Sequence, residues 1–256
     1  MSAPLKVFIT GASSGLGAAL AAHYAQRGAV LGLAARRADK LAEVAAALAP
    51  APTLYPLDVA DRASLAAAAA DFCARHGAPD IVIANAGISA GTRAGDPKDL
   101  DALERALLIN AAGLAATLAP FVGPMRERRA GTLVGIASVA GFRGFPGSGA
   151  YSASKAAAIA WLEALRVELR GSGLRVVTLC PGYIETPLTA VNRHRLPFLI
   201  TAPDAARRIA RAIESGRSLV VLPWQMWLVS AFLRRMPNWL FDRLFARAPR
   251  KPRANA

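Results

Sequence analysis

Short apolar runs alternate with longer alanine-rich stretches of helical period from the first residues to about residue 222. The runs read as strands are Leu5–Thr10, Val30–Ala34, Thr53–Leu57, Ile81–Ala84, Thr132–Ala137, Leu174–Leu179 and Ser218–Leu222. Most are apolar throughout rather than alternating, the pattern of strands covered by helices on both faces. Between them the spacing predicts helices over Gly15–Arg27, Lys40–Leu48, Arg62–Arg75, Leu100–Phe121, Ala150–Arg170 and Pro203–Ser215. Strand, helix, strand in steady succession predicts right-handed crossovers and a doubly wound parallel α/β sheet of seven strands. Such sheets take ligands beyond the carboxyl ends of their strands. Neither a repeat nor a linker interrupts the pattern, so residues 1–222 read as the sheet domain and 223–256 as a helical extension of it.

Composition agrees with this reading. The 256-residue chain is 54% hydrophobic and 19% charged, enough apolar material for one continuous core. Its formal charge of +14 invites a nucleic-acid partner. The basic residues are spread over many helices without a nucleic-acid motif, however, and no nucleic acid is expected. Cys73 and Cys180 lie far apart, match no metal-ligand spacing and read as buried free thiols, so no metal is expected. From Met1 the chain runs into a strand pattern with no charged leader and no cleavage site, which makes a cytoplasmic location the expectation. The longest apolar stretch, Leu219 to Leu233, is broken by Pro223 and is short for a membrane span.

The candidate chemistry begins after the first strand, at Thr10-Gly11-Ala12-Ser13-Ser14-Gly15-Leu16-Gly17. Glycines there let the backbone turn sharply and approach a pyrophosphate, which would sit on the positive end of the following helix. The spacing is Gly-x-x-x-Gly-x-Gly rather than the Gly-x-Gly-x-x-Gly of the usual dinucleotide motif. The second strand runs out through Leu33-Ala34-Ala35-Arg36-Arg37, with no acid before Asp39. An acid at that position bonds the ribose hydroxyls of NAD, whereas arginine accommodates the extra phosphate of NADP. NADP(H) is therefore the expected cofactor.

In these motifs the chain resembles the short-chain dehydrogenase/reductase family, in the subgroup with Thr-Gly-x-x-x-Gly-x-Gly and Tyr-x-x-x-Lys. The likeness spans roughly residues 5 to 222 and implies a Rossmann-like fold. Asp58-Val59 after the third strand matches the family's adenine-contacting pair. Asn85-Ala86-Gly87 after the fourth matches its turn beside the cofactor. Asn110 and Ser138 match its catalytic Asn and Ser, and Tyr151-Ser152-Ala153-Ser154-Lys155 its active-site motif. Pro181-Gly182, with Ile184 and Thr186 following, looks like the loop that holds the nicotinamide. Ala84 stands where many members carry a second Asn.

Reducing a carbonyl needs a proton donor for the oxygen, and a free tyrosine, with a pKa of about 10, is poorly matched to that task near neutrality. Lys155 lies one helical turn beyond Tyr151, so both project from one face, and its ammonium would lower the Tyr151 pKa. Ser138 would give a second hydrogen bond to the oxygen. The glycine-rich run from Gly141 to Gly149 must fold back to bring Ser138 to Tyr151. The resemblance further implies that Lys155 reaches the nicotinamide ribose, that Thr186 bonds the carboxamide and that Asn110 holds a water linking Lys155 to solvent. The expected enzyme interconverts a hydrophobic ketone or aldehyde and its alcohol. A cofactor-sensing binding protein or a membrane-peripheral scaffold on the same fold is the alternative.

The substrate end is read from the segment after the Pro-Gly loop and from the C-terminus. Pro187 to Thr201 carries Leu188, Val191, Leu196, Phe198, Leu199 and Ile200, with His194 flanked by Arg193 and Arg195 and read as a surface residue. A largely apolar lid favours a hydrophobic carbonyl over a sugar or a charged acid. Residues 224–256 add Trp224, Met226, Trp227, Leu228, Val229, Phe232 and Leu233, then Trp239, Leu240, Phe241, Leu244 and Phe245 among arginines. That segment is expected to be buried against the domain or a partner subunit, or to lie on an anionic membrane surface. A homodimer or homotetramer through the long fourth and fifth predicted helices is what the resemblance implies.

Overall fold

The computed structural model describes residues 3–190, 196–248 and 250–253. Its first half runs β1 (Lys6–Thr10), α1 (Gly15–Ala25), β2 (Val30–Ala35), α2 (Ala38–Ala46), β3 (Thr53–Pro56), α3 (Arg62–His76), β4 (Ile81–Ala84), α4 (Leu100–Leu107) and α5 (Gly113–Glu127). The second half runs β5 (Gly131–Ile136), α6 (Gly149–Glu168), β6 (Leu174–Pro181), β7 (Ile184–Glu185), α7 (Pro187–Ala190), β8 (Ile200–Thr201), α8 (Ala202–Glu214), β9 (Leu219–Leu222), α9 (Trp224–Arg235) and α10 (Asn238–Phe245). Seven parallel strands form one sheet in the order β3-β2-β1-β4-β5-β6-β9. The order reverses between β1 and β4, and a crevice opens there at the carboxyl ends.

Strand alternation divides the core into two layers. Val7 and Ile9 pack with Leu20 of α1 and Ile209 of α8, on the face that also takes Leu41 of α2. Phe8 points the other way, into the layer of Leu118 of α5 and Leu162 of α6. Its ring lies 5.6 Å from Phe72 of α3 and 4.9 Å from Phe121 of α5, centroid to centroid. Burying one such ring contributes about 1.5–3 kcal/mol. Gly32 in β2 leaves room for that cluster, since a Cβ there would come within 2.6 Å of the Phe72 ring.

The structure differs from the predicted elements in the long helix after β4. The pattern predicts one continuous helix from Leu100 to Phe121. In the structure α4 gives way to a π turn over Leu108–Ala112, and α5 runs on through Pro120 and Pro124 to Glu127. Burial of Phe121 and Met125 outweighs the hydrogen bonds that the prolines remove. The run Pro97–Glu127 is long and apolar enough to cross a membrane by composition. It packs instead against α3, α6 and strands β4 and β5, as a core helix does.

The segment after β6 forms the small parallel pair β7–β8, which the pattern did not predict, and places α7 between them in the chain. Val191, Arg193, His194 and Arg195 lie outside the described residues. Beyond β9, α9 packs on that strand and on the short 3-10 turn Val139–Gly141. The last described residues return to the loop after β4, where Gly91 N–H donates to Pro252 O at 3.0 Å and Arg253 pairs with Asp96 and Asp99.

Candidate active site

Two cavities share a wall at the carboxyl end of the sheet. The first, about 500 Å³, is lined by the glycine turn, the ends of β2, β4, β5 and β6, and the start of α6. It collects Gly11, Ser13, Ser14, Gly15, Leu16, Arg36, Arg37, Asp58, Val59, Asn85, Ala86 and Gly87 on one side. Ser138, Tyr151, Lys155, Pro181, Gly182, Ile184 and Thr186 close the other. Two of the predicted residues stand outside the lining, Gly17 and Asn110, and both act from behind it.

The glycines fit their positions through close approach. Gly11 has a φ of +69°, and a Cβ there would come 2.8 Å from Ala86 Cα. Gly15 has a φ of +55° and faces the Thr186 side chain. Gly17 is buried in the first turn of α1, where a Cβ would run into the Gly11 carbonyl. Asn85 ties β4 to this turn by donating from Nδ2 to Thr10 O at 3.0 Å and Gly11 O at 3.3 Å. Ser14, the residue before α1, makes no side-chain cap to the helix, and no acid stands in the first turn. Among the described residues no side-chain hydrogen bond caps the start of α1, and Gly15 and Leu16 line the cavity, as an anion at a helix N-terminus requires.

The two arginines take different postures. Arg37 donates to Ser13 Oγ at 3.2 Å and Ser14 Oγ at 3.1 Å, so a guanidinium and two hydroxyls converge at one corner. Arg36 faces Asp58 at 3.6 Å across an exposed gap, a pair worth little on its own. This donor set fits a dinucleotide that carries an additional phosphate.

At the other end of the cavity Ser138, Tyr151 and Lys155 come together. The turn Val139–Gly141 begins at Ser138, whose Oγ accepts from Ala140 N–H at 3.2 Å. Gly141 lets the turn lie against α6, since a Cβ there would meet the Lys155 backbone at 2.8 Å. Burial raises the Tyr151 pKa, and the Ser138 hydroxyl, hydrogen-bonded to the phenol, lowers it. Lys155 Nζ sits 5.9 Å from the Tyr151 ring centroid and donates to Ile136 O at 2.7 Å. In this arrangement burial leads in setting the Tyr151 proton and Ser138 opposes it, while the Lys155 ammonium stands beside the ring. Burial brings the Lys155 ammonium itself down to about 8.

Asn110 occupies the π turn, completely buried. Its Nδ2 donates to Ile88 O and to Ser154 Oγ, each at 2.9 Å, and its Oδ1 accepts from Ile88 N–H at 2.8 Å. Both amide hydrogens are thus committed to protein, and the side chain braces the Asn85–Gly87 turn against α6 instead of standing free to donate to a water. Thr186 N–H is held by Thr189 Oγ1 at 3.1 Å. Ala35, Leu57, Ile88 and Ile109 also line the cavity and were missed, because apolar residues at strand and helix ends carry no signal beyond core burial.

The second cavity, about 490 Å³, begins at Ser138 and Tyr151 and extends under the C-terminal segment. Its walls are Val139, Phe142 and Phe145 from the turn after β5, Tyr183, Leu188 and Phe198 from the loop after β6, and Met226, Val229, Leu233 and Phe245 from α9 and α10. Lys251 reaches it from the tail. The inner side of α9 is thus buried on the domain, as one expectation held. Its outer side is not, with Trp224, Trp227 and Phe232 each more than half exposed.

A family model for short chain dehydrogenases matches residues 6–196. An uncharacterized oxidoreductase of Myxococcus xanthus is 39% identical over 91% of this chain and 93% of its own. Another, from Mycobacterium tuberculosis, is 36% identical over 87% of this chain and 89% of its own. Among solved structures, a short chain dehydrogenase of Burkholderia cenocepacia in complex with NADP superposes with a TM-score of 0.82, at 25% identity, over 96% of this chain and 98% of that one.

Proposed function

The chain belongs to the short-chain dehydrogenase family, and from that premise we propose that it is an NADP(H)-dependent oxidoreductase interconverting a hydrophobic ketone or aldehyde and its alcohol. The observation that carries the reading is the position of Ser138 and Tyr151, which line both cavities. When bound, the cofactor supplies the hydride. The turn from Gly11 to Gly17 with the start of α1 holds its pyrophosphate, Arg36, Arg37, Ser13 and Ser14 hold its additional phosphate, and Asp58 and Val59 flank its adenine. Lys155 bonds the nicotinamide ribose and Thr186 the carboxamide.

Tyr151 donates its phenolic proton to the carbonyl oxygen as negative charge develops there, and Ser138 gives that oxygen a second hydrogen bond. A Tyr151 pKa held up by burial keeps the proton in place at neutral pH and favours the reductive direction. Lys155 then returns a proton to Tyr151 from the solvent side. Asn110 holds the Asn85–Gly87 turn in place beside them.

Incubating the protein with NADPH or NADH and a panel of apolar ketones and aldehydes tests this. NADPH oxidation with at least a tenfold preference over NADH is expected, the worth of a single charge-assisted contact or more. Equal use of both cofactors would remove the arginines from the reading. Tight NADPH binding with no oxidation across the panel would make the protein a cofactor sensor.

The outer face of the C-terminal helices docks on an anionic lipid surface. Trp224, Trp227, Phe232 and Trp239 are exposed by 57–69%, and Arg235, Arg243 and Arg247 are exposed beside them with Asp242 the one acid in α9 and α10. Aromatic rings at headgroup depth and arginines over anionic lipid are complementary to such a surface. Truncation would open the second cavity, so the test uses Trp227→Ser with Trp239→Ser. Salt-sensitive co-sedimentation with phosphatidylserine vesicles should be lost in that variant. Unchanged sedimentation, or a dimer dissociated by the substitutions, would end the lipid reading. A homodimer or homotetramer is assigned instead to the opposite helices, where Leu100, Leu108 and Val167 are exposed on α4, the π turn and α6.

A further inference from the structure

The wall of the second cavity contains a cation that the chemistry above does not use. Lys251 comes from the C-terminal tail, and its Nζ donates to Ser89 Oγ at 2.8 Å and to Leu188 O at 3.4 Å, both uncharged oxygens. Among the described residues it forms no ion pair, and none of those lining the cavity is an aspartate or a glutamate. Burial alone depresses the Lys251 ammonium. A cation held half-buried against apolar walls without a counter-ion costs stability, and a folded chain keeps one there when an anion completes it.

The tail that presents Lys251 is fixed at both ends. On one side Arg253 is paired with Asp96 and Asp99, and Pro252 O accepts from Gly91 N–H. Gly91 is required by this crossing, since a Cβ there would overlap the Lys251 carbonyl. On the other side Arg250 packs on Gly147, whose φ is +78°. Lys251 is therefore held at the cavity by a built strap, and its ammonium is aimed by Ser89 and Leu188. The other cation of the lining, Arg143, is already committed. It donates to Met236 O at 2.6 Å and Asn238 Oδ1 at 3.0 Å, also bonds Leu233 O, and its guanidinium lies 3.9 Å from the Phe241 centroid.

We propose that Lys251 is the anchor for an anionic group on the substrate, so that the second cavity takes an oxo-acid with an apolar body: carbonyl at Ser138 and Tyr151, carboxylate at Lys251. The inference rests on the reductase reading of the same site and refines the expectation of an uncharged hydrophobic carbonyl. Lys251 is a specificity-determining residue here, and it takes no part in the proton transfer.

The test uses binding and turnover side by side, so that the two readings can fail separately. Decanoate and decanol, which cannot be reduced, are titrated into the NADPH-loaded protein by calorimetry, and ω-oxodecanoate and decanal are compared as substrates. Decanoate should bind at least about tenfold more tightly than decanol, the worth of one charge-assisted hydrogen bond. Lys251→Met should abolish that difference and raise KM for ω-oxodecanoate by a similar factor, leaving kcat and the KM for decanal unchanged. Lys251→Arg should restore most of it. NADPH affinity, which depends on the other cavity, reports that the variants are folded. Equal affinity for decanoate and decanol, no binding of either, or a Lys251→Met variant that keeps the preference, overturns the anchor and leaves the reductase reading intact. Lys251-dependent decanoate binding with neither oxo compound reduced keeps the anchor and removes the reductase.

Discussion

The two cavities meet at Ser138 and Tyr151, yet they are made from different material. The first is shaped mainly by backbone: glycines that bring one chain segment against another, the open N-terminus of α1, and the ends of parallel strands. The second is shaped by side chains from the turn after β5, the loop after β6, α9, α10 and the tail. A backbone-built site accepts one kind of ligand and tolerates little change. A site walled by side chains can be retuned by substitution without disturbing the sheet, which is how one fold serves many substrates.

Tyr151 belongs to both cavities, so its removal should break the chemistry without affecting either fit. Tyr151→Phe is expected to lower kcat by 10²–10⁴, the range for a lost general acid, with Kd for NADPH changed by no more than about twofold. Pre-steady-state NADPH oxidation and fluorescence titration read the two quantities. A variant with near-normal kcat would take Tyr151 out of the mechanism.

Substitutions on either side sharpen the contrast. Gly17→Val drives a side chain against the Gly11 carbonyl at a place where both partners are backbone. It should cost about 1–3 kcal/mol of stability and most of the NADPH affinity. Val229→Trp fills the second cavity from α9, where the neighbours are side chains. KM for the longer substrates should rise about tenfold, with NADPH affinity and Tm close to wild type. Thermal melts and titrations on the pair decide it, and a Val229→Trp protein that loses NADPH would show that the cavities are not separable.

The same difference explains what could be read from the chain. The glycine turn, Arg37, Asn85 and Ser138 are polar or glycine residues at strand ends, where an α/β pattern already says a ligand belongs, and Tyr151 and Lys155 stand one turn apart on α6. The structure gathers them in one cavity. The π turn at Asn110 was not legible, because apolar spacing continues through an extra residue per turn. Nor was the continuation of α5 past Phe121 and through Pro124, since the burial of Met125 that sustains it depends on the sheet below. The second cavity was seen as apolar material in 187–201 and 224–245 but not as an enclosure. Nothing in the basic tail sequence singles out Lys251, whose place is fixed by the contacts of Arg253 and Pro252 with Asp96, Asp99 and Gly91.

The smallest expected effect concerns Lys155, which lines the first cavity and is 4% exposed. Burial lowers its folded pKa to about 8, against the ordinary lysine value of 10.5. Between pH 8 and pH 9 the unfolded chain keeps this proton while the folded chain releases it. Unfolding then takes up a proton, and stability rises with pH across that window. For a group passing from half to mostly deprotonated, the gain is about 1 kcal/mol. Lys155→Met removes it, so the difference in unfolding free energy between wild type and variant should grow by that amount over the window. Cys73 is present in both proteins, and Cys180, pushed up to about 12 by burial, keeps its proton in either folded chain across the window, so neither thiol sets the difference. Denaturant melts without added NADPH at pH 8 and pH 9 measure it. A difference that stays constant would mean that the Lys155 ammonium keeps its proton through the window, held by Ile136 O and the cavity wall against the cost of burial.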